Sequence, residues 1–342
     1  MIAKYILFGL LTILIVEARK PKGCISIKSV TKPIQHAEGP HWDSHKQLLY
    51  YVDTFKADAL KWDPKTNEVT MFHIDDRNSI GIIVPIKGDP KGFVAGADRI
   101  VYQIKWDGKE NNTAKYEEIL MVDESKPNNQ FNDGKADAKG RLWIGTLTRN
   151  PDQSVKDNGG ELFVITDKKL LKDNQQVNYT SISNGLAWSK NNKHFYYIDS
   201  AKRNVVIYEF DLEKGVLGES RVLFDLAKYP DIPTSGIPDG MTIDSDDNIW
   251  VAIYGGGCIL HVHGQTGELL LKLDLPVTYV TSLAFGGPNL DILYATTSRM
   301  RLTEAQIPSQ PLAGTVLAIT NLGVKGLPAN EFEADEWKKQ SC

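Results

Sequence analysis

A strand-like run returns six times along this chain. Lys46 to Asp53 (KQLLYYVD) matches Asn192 to Asp199 (NKHFYYID), and Lys139 to Gly145 matches Asp247 to Ala252. Two weaker copies run from Pro90 to Gly96 and from Asp291 to Thr296. Each opens with Gly, Asp or Asn turn chemistry and continues with aromatic and β-branched residues, the pattern of a turn feeding a strand. With Val52, Val94, Ile144, Ile198, Val251 and Ala295 as anchors, the spacings are 42, 50, 54, 53 and 44 residues. A unit of roughly 40–55 residues accommodates one four-stranded blade, which predicts an all-β, six-bladed β-propeller. A parallel β-helix needs repeats of about 20–25 residues. A pair of β-sandwiches gives no reason for a sixfold spacing. Leu60 to Pro64 and Val206 to Asp211 fit the next strand of their blades.

Four short polar stretches share one phase of this repeat. They are His36 to His41 around Glu38, Phe131-Asn132-Asp133-Gly134, Ser183-Asn184-Gly185-Leu186 and Pro238-Asp239-Gly240. Glu38, Asn132, Asn184 and Asp239 precede their anchors by 12–14 residues. Taken singly, Asn-Asp-Gly, Asn-Gly and Asp-Gly are turn signals. Taken together, they are loops that lead into the innermost strands and ring one mouth of the channel. The gathered oxygens, two carboxylates and two amides, suit a hard divalent cation. His36 and His41 flank Glu38 with the spacing His-X-Glu-X-X-His, which is not the helical zinc pattern, so neither is assigned as a ligand. Asp133 is either a further ligand or a brace for the Asn132 loop. Asp53 and Asp199 read as turn-bonding strand ends, and Asp244-Asp246-Asp247 as a solvated hairpin tip.

Charge and address narrow the function further. The formal net charge is −4 with no basic cluster, which argues against a nucleic-acid partner. Lys4, the apolar run Tyr5 to Val16 and Val16-Glu17-Ala18 read as a secretory signal peptide over residues 1–18. The run is shorter than the about 20 residues that span a bilayer, so no membrane partner is expected after cleavage. Residues 19–342 then form a single propeller domain, secreted and monomeric. The sequons at Asn111 and Asn178 fit that route. Cys24 and Cys342 are placed to tie the two ends together, leaving Cys258 as a buried, inert thiol.

These residues resemble the regucalcin / gluconolactonase / luciferin-regenerating enzyme family, and most closely its insect members. The likeness is carried by Glu38-Gly39-Pro40-His41-Trp42, Asn132-Asp133-Gly134-Lys135, Ser183 to Trp188, Phe195 to Ser200, Ile237 to Met241, Ala284 to Leu290 and Gly323 to Gly326. It covers nearly all of the mature chain. The resemblance implies one divalent metal (Ca²⁺, Zn²⁺, Mn²⁺ or Mg²⁺) on Glu38, Asn184 and Asp239. It implies hydrolysis of a lactone ester by a metal-activated water, with Asp239 as general acid/base. Asn132 is implied to contact the substrate, with Gln130 and Asn150 beside it. Those last two depart from the vertebrate sugar-lactone enzymes, which carry an arginine and a glutamate there. Two neutral amides weaken the expectation of an aldonolactone substrate and leave the metal set intact. The alternative is a non-catalytic Ca²⁺-binding extracellular propeller, a regulator or binding module. The C-terminal stretch Glu331 to Lys339 reads as an acidic tail or short helix.

Overall fold

The computed structural model describes residues 24–109, 114–152, 154–166 and 177–334. The strands form four-stranded antiparallel units, and β1 (Ser26–Ser29) belongs to the last of them. The first comprises β2 (Ala37–Asp43), β3 (Leu48–Asp53), β4 (Asp58–Asp63) and β5 (Glu68–His73). The second comprises β6 (Ile80–Pro85), β7 (Gly92–Ala97), β8 (Ile100–Lys105) and β9 (Lys115–Met121). The third comprises β10 (Asn129–Ala136), β11 (Leu142–Thr148), β12 (Gly160–Ile165) and β13 (Val177–Thr180). The fourth comprises β14 (Ser183–Trp188), β15 (His194–Asp199), β16 (Asn204–Asp211) and β17 (Val216–Asp225).

The remaining strands belong to one eight-stranded sheet made of two such meanders. β18 (Ile237–Ile243), β19 (Ile249–Tyr254), β20 (Cys258–Val262) and β21 (Leu269–Asp274) pair in order. So do β22 (Tyr279–Gly286), β23 (Ile292–Ser298) and β24 (Val316–Thr320), with β1 as the outermost strand. The two meanders join through the Tyr254–Tyr279 pair alone. β1 therefore stitches the start of the chain to its last unit, Ser26 opposite Thr320 and Ser29 opposite Leu317.

Burial falls from the first strand of a unit to the last. β6 and β14 are buried throughout, whereas β9 and β17 are largely exposed. First strands pack on one another in order, from β2 through β6, β10, β14 and β18 to β22, and β22 packs back on β2. The hydrophobic clusters follow the same circle. One joins Tyr50, Val52 and Phe72 to Phe93, Tyr102 and Trp106, and another joins Tyr196, Ile198 and Val205 to Val251 and Leu260. Trp42 stacks on Tyr294 at 5.3 Å where the circle closes. An alternating strand buried on both faces needs apolar residues at successive positions, which is why runs such as LLYYV and HFYYI show no clean polar face.

The anchor runs chosen from the sequence are the second strands of their units, not the innermost ones. Their aspartates act over long range. Asp53 accepts from Gln35 N and His36 N, both at 3.0 Å, and Asp199 accepts from Ser181 N and Ile182 N at 3.2 and 3.1 Å. Each clamps the backbone that leads into its own first strand. Asp244 is corrected from a solvated tip to a fully buried brace; Asp246 beside it is exposed. Asp244 accepts from Asp246 N, Asn248 N and Trp250 Nε1 at 2.9–3.0 Å and lies 2.9 Å from His261 Nε2. No helix among the described residues is long and apolar enough to cross a membrane. The signal peptide, Cys342 and the Asn111 sequon lie outside the described residues.

Candidate metal centre and its mouth

The polar stretches lie inside the first strands, not in loops ahead of them. Each is a β-bulge. The register shifts between Glu38 and His41 in β2, Phe131 and Gly134 in β10, Asn184 and Leu186 in β14, and Pro238 and Met241 in β18. A bulge leaves a residue outside the ladder and re-aims it. The following glycine is dictated by the neighbouring unit. A Cβ on Gly185 would lie 2.7 Å from Asp239 O, and one on Gly240 would lie 2.0 Å from Ser282 Oγ. The first strands thus approach closely enough for residues about 200 positions apart to meet.

The meeting is direct for Asn184 and Asp239, whose Nδ2 and Oδ1 are 2.5 Å apart. Asn184 also donates to Ser200 Oγ at 3.1 Å, and its Oδ1 accepts from Gly185 N. Glu38 accepts from Gly39 N at 2.7 Å, and Asp133 from Gly134 N at 2.7 Å. The other oxygen of Asp133 is buried without a hydrogen-bond partner. Asn132 donates to Ser183 O at 2.9 Å, reaching the strand that carries Asn184. Lys135 Nζ is held by Met241 O.

Charge ties these groups together. Burial pushes Glu38 well above the usual carboxylate range, and Asp239 and then Asp133 push it further. Burial raises Asp239 as well; the Asn184 amide opposes that and Asp133 adds to it. Asp133 is raised by burial against the pull of Lys135. Burial lowers Lys135, which Asp133 and Glu38 counter. Three carboxylates against one ammonium leave an excess of two negative charges when all are ionised, together with an unpartnered carboxylate oxygen. Hard oxygen donors in negative excess fit a divalent cation. Among the described residues no group of three or more His, Cys, Asp or Glu side chains is arranged to hold a metal. The Glu38–Asn184–Asp239 set contains two such residues, and its third donor is an amide.

Toward the other end of the first strands lies a cavity of about 320 Å³. It is lined by His41, Val84, Trp188, Ile243 and Phe285 and shares Asp133 and Lys135 with the carboxylate cluster. Its far wall is Leu327 to Asn330. The C-terminal stretch is corrected accordingly in its described part: it is neither tail nor helix. Phe332 and Ala334 are fully buried, Phe332 N donates to Pro85 O, and Glu333 N donates to Gly140 O, each at 2.9 Å. Polar groups converge at the carboxylates, whereas the cavity wall is more apolar than polar.

The start of a first strand and the end of its antiparallel second strand share one edge. Residues just past the second strands therefore surround the site, and the sequence reading missed them. Phe55 follows β3, Arg149 follows β11, Tyr254 ends β19 and Arg301 follows β23. The His36 ring lies 5.1 Å from Phe55 and 6.2 Å from Tyr254, with Nδ1 2.8 Å from Ser298 Oγ. Burial, then the charges of Arg149 and Arg301, holds the His36 pKa down at about 3. The imidazole is neutral at physiological pH. Of the residues assigned to substrate contact, Gln130 is half-buried in β10, opposite Leu147. Asn150 is at the same edge, but its amide donates to Ser154 Oγ at 2.9 Å within its own loop. Cys258 is a fully buried thiol whose pKa burial pushes up to about 11.

The family model described as "SMP-30/Gluconolactonase/LRE-like region" matches residues 36–299. Regucalcin from Xenopus laevis is 33% identical over 305 residues, covering 89% of this chain and 96% of its own length. A luciferin-regenerating enzyme structure superposes with a TM-score of 0.83 at 35% identity, covering 91% of this chain and all of that one. A calcium-binding regucalcin from Agrobacterium tumefaciens superposes with a TM-score of 0.78 at 19% identity, covering 90% and 98% of the two chains.

Proposed function

Because the chain belongs to the SMP-30/gluconolactonase/LRE-like family, we propose that it is a divalent-metal-dependent lactone hydrolase centred on Glu38, Asn184 and Asp239. The observation that carries this reading is the convergence of three carboxylates and an amide at bulges of four different units, with the half-buried Lys135 acting on Glu38 and Asp133. The four separate sheets and the two halves of the eight-stranded sheet are read as six propeller blades. Residues 19–342 then form one domain that acts outside the cell after loss of residues 1–18, as a monomer. The exposed Asn178 of the second sequon supports that route.

Glu38, Asn184 and Asp239 hold the ion, with Ca²⁺, Mg²⁺, Mn²⁺ and Zn²⁺ as candidates. When bound, it supplies Lewis acidity toward the lactone carbonyl. Asn184 must then turn its amide so that Oδ1 faces inward, where Nδ2 now meets Asp239. Asp239 takes a proton from the attacking water and returns it to the alkoxide released as the ring C–O bond breaks. Burial raises its proton affinity, the direction a general base requires. Asn132 and Gln130 orient the lactone, and Asn150 reaches it once released from Ser154.

The test is hydrolysis of aldonolactones and hydrophobic lactones by metal-stripped protein reloaded with each cation. Turnover is expected to return with metal and to fall about 10²–10⁴-fold in Asp239→Asn. Full activity in that variant would remove Asp239 from its role. Metal binding without turnover on any lactone would favour the non-catalytic Ca²⁺-binding alternative.

A further inference from the structure

Six side chains form a continuous wall beside the carboxylates. The Arg149 guanidinium carbon sits 5.3 Å from the Phe55 ring centre. Phe55 faces His36, which faces Tyr254, and Tyr254 packs on Tyr279 at 4.7 Å. The charge of Arg301 acts on the Tyr254 hydroxyl. The wall is built from four units, through the loop ahead of β2 and the ends of β3, β11, β19 and β23. All six residues keep part of their surface accessible. Tyr254 also lies within electrostatic reach of Asp239, which ties the wall to the reaction centre.

The two arginines act on the same space. After burial, the charge of Arg301 is the largest influence lowering Arg149. One cation held over an aromatic face and a second acting on it through space, on a chain whose formal net charge is −4, mark a local concentration of positive potential. Guanidinium groups present planar donor pairs that match a carboxylate. The neutral Gln130 and Asn150 offer no such charge.

We propose that the substrate carries an anionic group, a carboxylate on the lactone or its substituent, and that Arg149 and Arg301 seat it against Phe55 and Tyr254 while Asp239 acts on the ring ester. This rests on the hydrolase reading and names its substrate class.

The experiment compares two matched probes on the metal-loaded full chain: a γ-butyrolactone bearing a ring carboxylate, and its primary amide. The corresponding γ-lactam carboxylate and γ-lactam amide, which are not opened, serve as binding probes by calorimetry. Wild-type protein is expected to favour the carboxylate over the amide about 10- to 100-fold, as lactone in KM and as lactam in Kd. Arg149→Gln or Arg301→Gln should reduce that ratio about tenfold each, and Arg149→Lys should restore part of it. Because the ratio is read within one protein, partial misfolding of a variant does not mimic the result. Hydrolysis of both lactones at equal kcat/KM would overturn the proposal and leave the hydrolase standing. Preferential lactam-carboxylate binding without hydrolysis of either lactone would keep the anion site and overturn the hydrolase. Neither binding nor turnover would overturn both.

Discussion

Replacing Gly240 with alanine tests whether inter-strand crowding positions Asp239. The new Cβ would stand 2.0 Å from Ser282 Oγ, 2.4 Å from its Cβ and 2.6 Å from its Cα. Carbon atoms in contact sit about 3.5–4.0 Å apart, so the shortfall against the backbone atom is about 1 Å. Rotating Ser282 does not remove that contact, so β18 and β22 must separate. Overpacking of this kind costs about 1–3 kcal/mol. At about 2–3 °C per kcal/mol for a large domain, the melting temperature should fall by about 2–9 °C. Asp239 is the neighbouring residue on the bulge, and displacement by about 1 Å costs about 10²-fold in rate. Activity should therefore fall out of proportion to stability. Thermal scanning with and without metal, alongside lactone turnover, separates the two effects. Ser282 Oγ is buried without a hydrogen-bond partner, so Ser282→Gly removes crowding atoms without breaking a bond. The double variant should recover part of the loss, with a coupling of about 0.5–2 kcal/mol. An alanine variant with unchanged melting temperature and turnover, or a double variant whose losses simply add, would refute the reasoning.

Other consequences are accessible to simple measurements. Asp244→Ala strands Trp250 Nε1, His261 and two backbone donors, and should lower the unfolding free energy by about 3–5 kcal/mol in urea; a loss below about 1 kcal/mol would return Asp244 to the surface. Phe332→Ala should cost about 3–5 kcal/mol, which a dispensable tail residue would not. His41 is buried with its pKa held down at about 4, chiefly by burial. The unfolded chain therefore binds the extra proton between about pH 6.5 and pH 4, and stability should fall with acidification across that window by about 3 kcal/mol. His41→Gln should flatten the slope in chemical denaturation run at several pH values. Iodoacetamide should leave Cys258 unmodified in the native protein at pH 8 and label it on unfolding; rapid native labelling would contradict its burial.

The repeat and the metal-set candidates were legible because both are written locally. KQLLYYVD and NKHFYYID are strands wherever they fold, and Glu38, Asn132, Asn184 and Asp239 recur at one phase whatever the ring's closure. Cys258 was legible for the same reason, since an apolar strand context predicts a buried thiol. Strand rank within a unit was not. An innermost strand with a bulge and a second strand without one have similar composition, so spacing alone places the anchors one strand too far inward and makes the polar motifs look like loops. Asp244 looks like a solvated tip in the sequence because its partners Trp250 and His261 are set by sheet register, not by neighbouring residues.

The chain by itself determined that it would form repeated antiparallel strands and carry oxygen donors once per several units, since turn chemistry, alternation and spacing depend on nearby residues. Only the closed tertiary structure decided which side chains meet. Arg149, Phe55, Tyr254 and Arg301 come from different units and share no motif; they converge because antiparallel pairing brings the ends of second strands to the edge where the first strands begin. Their charges act through space, and space is what the ring arrangement supplies.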